Sequence, residues 1–307
     1  MAKKSKRNSG PRSDSKRAEL LAKRRAEREQ ASAVPARPFA GLAAECDLVA
    51  MREFVPSATA PLPLADGIDT ARELSVVTVL PGAVSALTRP GEDGVAGTGL
   101  VGMQVQAHAE DPGAELSAAT LWAAGAEDGE SLMAAEYNSD TRPVAEVLRA
   151  DADLDITVHS DFQWWLERAV ESSPQIEQAI TQANELMMPS ARLEGVRAAW
   201  WVDAVERAHL RWVRPEDEDA LMLALARVHA AEGLTLGEGS RFAGSFRAHG
   251  LLVPVFDLDR DKHPQEWTEA TVALGARLDE ALADDRPMTS AERRSRDGLR
   301  ARQVTLR

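Results

Sequence analysis

Residues 251–256 read Leu-Leu-Val-Pro-Val-Phe, apolar at every position, and they come directly after a His249-Gly250 pair. A run this short and apolar on both faces needs cover on both sides, as the central strand of a sheet does. The preceding residues, 241–248, are strand-like as well, and a two-residue link ending in glycine makes the two runs a hairpin. In that register Phe246 faces Val253 and Gly244 faces Val255 on one side of the sheet. Ser245, Arg247, Leu252 and Pro254 share the other side. Pro254 has no N–H to give a ladder, so a bulge or an unpaired edge is expected there.

The rest of the chain must supply the cover for this sheet. Further strand-like runs lie at residues 58–64, 74–80, 100–107, 196–202 and 210–213, with a loop at 88–98 where Gly and Pro accumulate. Helical periodicity marks residues 45–54, 114–126, 174–188, 216–231 and 265–283; the third starts on Pro174 and the fourth opens on acidic residues. Strands and helices mix without strict alternation, which predicts an α+β fold. Its expected form is a mixed, mainly antiparallel sheet with packed helices, flanked by disordered basic tails. A polar stretch at 125–142 is the expected boundary between two subdomains. Each half runs from strands into a helix, a weak echo of duplication.

Charge divides the chain more sharply than hydropathy. Residues 1–37 hold 12 Lys and Arg against 4 Asp and Glu, residues 286–307 hold 7 against 2, and the body, 38–285, holds 17 against 43. The net charges are +8, +5 and −26. The leader carries almost nothing to bury and is expected to be unstructured. Its charges make Lys3, Lys4, Lys6, Arg7, Lys16, Arg17, Lys23, Arg24 and Arg25 candidate contacts to a polyanion such as nucleic acid or the ribosome. No apolar stretch comes after them, so neither an export signal nor a membrane anchor is expected. Cys46 is the one cysteine, which excludes an internal disulfide and fits a reducing cytoplasm.

Five of the six lysines fall within the first 23 residues. Lys262 alone serves the body, so neither a phosphate-loop lysine nor a kinase strand lysine is in place. Gly97-Thr98-Gly99-Leu100-Val101-Gly102 has the spacing of a dinucleotide loop, but residues 103–108 alternate like a strand and offer no helix N-terminus to a pyrophosphate. Asp151-x-Asp153-x-Asp155 and Asp257-x-Asp259-x-Asp261 begin like calcium loops and then lack the glycine and the terminal glutamate, which makes them solvated turns. His159, Ser160 and Asp161 are consecutive and cannot form a triad among themselves. The adjacent pairs Trp164-Trp165 and Trp200-Trp201 should place one ring on each face of a strand, mainly as core, with a stacking platform beside Arg197, Arg211 and Arg214 as the alternative. No metal or cofactor is expected.

The candidate binding site lies on the hairpin. Arg241, Ser245, Arg247 and His249 border a shallow cleft over the small residues Gly244 and Ser245, with tight packing as the competing reading.

Several strings are similar to an actinobacterial family known as domain of unknown function 5926. They are Met51-Arg52-Glu53-Phe54-Val55-Pro56-Ser57, Leu236-Gly237-Glu238-Gly239-Ser240-Arg241, and Gly244-Ser245-Phe246-Arg247-Ala248-His249-Gly250-Leu251. The closing Arg302-Gln303-Val304-Thr305-Leu306 is similar too. Some relatives carry a small zinc motif ahead of this domain, like that of the preprotein translocase ATPase; the leader here has no Cys or His to form it. A topoisomerase role, a label used in that family, lacks its ATP site and nucleophile. The expected function is therefore a non-enzymatic cytoplasmic binding or adaptor protein whose basic tails meet a polyanion. A small-molecule or anion-binding enzyme using residues 237–250 is the alternative, and tail-driven homo-oligomerisation is a third.

Overall fold

The computed structural model describes residues 35–91, 96–106, 109–166 and 174–305. Residues 1–34 of the leader, with its nine candidate contacts, lie outside the described residues.

Helix α1 (Glu45–Glu53) comes first and is followed by β1 (Ala58–Pro61), β2 (Glu73–Val77), β3 (Ala86–Arg89) and β4 (Thr98–Gly102). Next come α2 (Pro112–Gly125), β5 (Ser131–Leu132), the single turn α3 (Val144–Val147) and β6 (Thr157–Val158). Helix α2 starts where Asp111 accepts hydrogen bonds from the backbone N–H of Gly113 and Ala114, with proline at the first helical position. The six strands form one sheet in the order β5-β3-β4-β2-β1-β6, antiparallel except for the β2–β4 pair.

The second half holds α4 (Pro174–Leu186), β7 (Ser190–Arg192), β8 (Ala199–Asp203), β9 (Ala208–Trp212) and α5 (Glu218–Ala230). It ends with β10 (Ser240–Ala248), β11 (Leu251–Leu258), α6 (Thr268–Leu282), α7 (Ser290–Arg300) and β12 (Gln303–Thr305). Their sheet runs β12-β10-β11-β9-β8-β7, antiparallel except where β12 joins β10 in parallel.

The β10–β11 hairpin has the expected register, Ala248 opposite Leu251 and Phe246 opposite Val253. Positive φ at His249 (47°) and Gly250 (76°) gives the turn that suits the strand twist. The bulge sits on the other strand from Pro254, between Phe242 and Gly244. Pro254 is accommodated differently: the β11–β9 ladder runs from Leu258 to Val255 and resumes as a single bridge between Leu252 and Arg214. Gly244 has φ 152°, and a Cβ there would lie 2.5 Å from the carbonyl oxygen of Arg302. Glycine lets the last strand approach.

Helix α1 is the hub. Leu48, Val49, Ala50 and Met51 are fully buried in a core shared by one face of each sheet, with Val76 and Val101 on one side and Trp200, Val202 and Val253 on the other. The far face of the second sheet packs on α5 and α6, with Leu299 of α7. The far face of the first sheet carries a small cluster, Val77, Leu80, Val84 and Leu100, against which Leu87 and Trp164 pack. No helix among the described residues is long and apolar enough to cross a membrane.

Three expectations change. The loop placed at 88–98 begins inside β3, whose alternation is too short to register. The polar stretch 125–142 is no boundary between sheets, because β5 and β6 both belong to the first sheet; the change of sheet comes after residue 158. The C-terminal segment is folded and is no disordered tail. Thr289 and Glu292 cap α7 reciprocally, Leu299 is 2 % exposed, and Gln303 pairs with Ser245.

Candidate functional site

The hairpin residues do not converge. Arg247 forms a two-pronged ion pair with Glu218 at the first turn of α5, its Nε 2.5 Å from Oε2, and Gln303 of β12 donates to the same carboxylate at 2.9 Å. That pairing holds the Glu218 carboxyl below its ordinary range. His249 Nε2 lies 2.7 Å from Glu53 Oε1, tying the turn to the end of α1. Ser245 is buried, and its Oγ has no hydrogen-bond partner among the described residues. Arg241 pairs with Asp257 at 2.5 Å, near the opposite end of β10, roughly 25 Å along the strand from the turn. The space over Gly244 is taken by Arg302, so tight packing describes this region.

The other sequence features resolve into structure. Gly99 and Gly102 lie within β4, where a Cβ would strike the Leu74 side chain and come within 2.8 Å of the Val84 carbonyl. Trp200 is fully buried in the shared core, while Trp201 points to the helical side. Trp164 and Trp165 fall in a single 3-10 turn instead of a strand. Their indoles donate to Ser57 Oγ at 2.8 Å and the Val79 carbonyl at 3.0 Å, pinning the segment after β6 to the first sheet. His159 contacts Thr59 Oγ1 at 2.9 Å, and burial pushes its pKa down. Cys46 is buried beside two carboxylates, with its thiol pushed up to about 12 by burial first.

A cleft of about 580 Å³ opens where the outer strands β6 and β7 meet, bordered by His159, Ser160, Arg192 and Glu194. Its arginine is committed inward. Arg192 donates to Asp47 Oδ2 at 2.8 Å, and Asp47, 2 % exposed, is pushed up by burial against that stabilising cation.

A second constellation, which local reading missed, spans β9, β11 and β10. Asp257 stands opposite His209 on one neighbour and Arg241 on the other, so the three form one row across the sheet. Arg207 Nη1 reaches the same Asp257 oxygen as Arg241, at 3.3 Å. His209 Nδ1 is 3.2 Å from the other oxygen, within ion-pair distance yet outside hydrogen-bond geometry. One row along lies Arg211, paired with Val255 in the ladder. The alternation Arg207-x-His209-x-Arg211 was the available signal, because alternate residues of a strand share a face.

A two-sheet α+β protein built around a buried helix, with cations on its second sheet, is thus the class that fold and side chains define. The chain belongs to a family of unknown function (DUF5926), whose model matches residues 38–307. No curated protein and no solved structure matches it.

Proposed function

We propose that this protein is a cytoplasmic binding or adaptor protein that docks on a polyanionic partner, nucleic acid or a ribosomal surface, through its basic leader. The observation that carries the reading is the charge division, net +8 over residues 1–37 against −26 over residues 38–285. A body so acidic repels phosphate backbones, so attraction falls to the basic ends, of which residues 1–37 carry the larger charge, +8 against +5. The cations at the hairpin turn support the same assignment, because Arg247 and His249 each face an internal carboxylate. Burial of the lone Cys46 suits a reducing compartment.

Binding of single-stranded RNA and duplex DNA is to be measured at stepped salt for the full chain and for residues 37–307. The full chain should bind with an affinity that falls steeply with salt, by about 0.7–0.9 in log K per log salt for each phosphate neutralised. Trimming should abolish it. Equal binding by the trimmed chain would refute the leader's role, and salt-dependent self-association lost on trimming would favour oligomerisation instead.

A further inference from the structure

We propose that the face of the second sheet bearing Arg207, Arg211 and Arg241 binds a phosphate group, free or as a small phosphate monoester. This goes beyond the leader's role and is independent of it.

Strand register places the three arginines together. Val213, Leu251 and Val253 belong to the core shared between the sheets. Arg211 and His209 continue the same face of β9, beside the core residues Trp200 and Val202 on β8, and Asp257 and Arg241 continue it on β11 and β10 toward the rim. There the side chains meet solvent: Arg241 is 72 % and Arg207 59 % exposed. Charge does not balance. Two guanidinium groups converge on one oxygen of Asp257, the one carboxylate in direct contact with them among the described residues. Asp203, the nearby acid at the end of β8, is engaged by Arg260 at 2.9 Å.

Arg211 adds a third positive charge with no carboxylate partner among the described residues. Its guanidinium carbon lies 5.3 Å from the centre of the Phe54 ring. A cation–π contact offsets only part of what a half-buried guanidinium loses in hydration, and burial accordingly lowers the Arg211 pKa. Three arginines against Asp257 carry net +2, and burial lowers the His209 value against the opposing pull of Asp257. A phosphate dianion matches that charge. The planar donors of arginine suit its oxygens, and Arg207 and Arg211, with His209 between them, stand about 13 Å apart at the backbone, a span that two long side chains can close on one tetrahedral anion.

The test uses the full chain and inorganic phosphate, with glycerol 3-phosphate as the monoester and chloride at equal ionic strength as the control. Calorimetric titration should show saturable phosphate binding that chloride does not reproduce, tighter for whichever phosphate source the face accommodates. The double variant Arg207→Ala/Arg241→Ala should stay folded, with some loss of melting temperature because the buried Asp257 keeps only His209 beside it, and should weaken binding at least tenfold. His209 gives an independent readout: its imidazole titration by NMR should move upward when phosphate is bound and stay in place in the variant. Binding no stronger than chloride's would overturn the proposal. So would undiminished binding by the double variant, and if that binding disappeared on removing residues 1–36 it would belong to the leader.

Discussion

The two sheets set their strands in the same spatial order but in different senses. In the first, β1, β2, β4, β3 and β5 succeed one another inward from the β6 edge; in the second, β8, β9, β11, β10 and β12 do so from β7. Yet β4 is parallel to β2, whereas β11 is antiparallel to β9. The connection accounts for the difference. Between β2 and β3 the chain makes a short link with one 3-10 turn, so β3 returns antiparallel to β2 and β4 fits between them. Between β9 and β10 it passes through the thirteen-residue helix α5, and β10 enters in the direction of β9. Strand order alone is therefore weak support for duplication, since a shared order arises here with different chain directions.

The outer faces differ as well, and the largest predicted effects come from that contrast. Leu225 of α5 and Leu80 beyond β2 are both fully buried, the first within the broad helical cover of the second sheet and the second within the four-residue cluster of the first. Leu225→Ala should cost about 4 kcal/mol and Leu80→Ala about 2.5 kcal/mol, because a small cluster can close over a cavity more readily. Urea unfolding of both variants checks the order; equal losses would remove the distinction between the two faces.

A smaller loss is expected where the halves are joined through α1. Arg192→Ala leaves Asp47 buried without its cation, at about 2 kcal/mol once the partial exposure of the arginine is allowed for. The sign with pH is set by burial, which raises the Asp47 value in the folded state. Protonation favours the fold, so the deficit of the variant should shrink as pH falls from 7 toward 5. A deficit that grew over that range would place the cost elsewhere.

Glu292 titrates in the opposite direction. Arg286 and the backbone N–H of Thr289 hold it down to about 2, against an ordinary 4.5. The stability it contributes is present above 4.5 and is lost as pH falls through about 2. Glu292→Gln keeps the cap and removes the ion pair. It should lower the melting temperature by about 2 °C at pH 7 and have no effect near pH 2. The smallest effect is reserved for the leader: deleting residues 1–36 should shift melting by less than about 1 °C, since its sequence offers almost no apolar surface to pack. A drop of several degrees would show that it is part of the fold.

The features legible in the sequence alone were local. Turn chemistry at His249-Gly250 located the hairpin, helical periodicity over residues 114–126 located α2 without its cap at Asp111, and the acidic start at residues 216–219 announced α5. The α+β class came from these. The C-terminal segment was misjudged because its charge outweighed a capping box and one buried leucine, Leu299, both visible in the chain. Tertiary structure alone decided the partners of the cations. Arg247 pairs with Glu218 and His249 with Glu53, carboxylates 29 and 196 residues away. It alone gathered Arg207 and Arg241 on Asp257 and set Arg211 along the same face. Backbone preferences act over a few residues and are written in neighbouring letters, whereas an ion pair depends on which distant strands share a ladder, and that is settled only when the sheet closes.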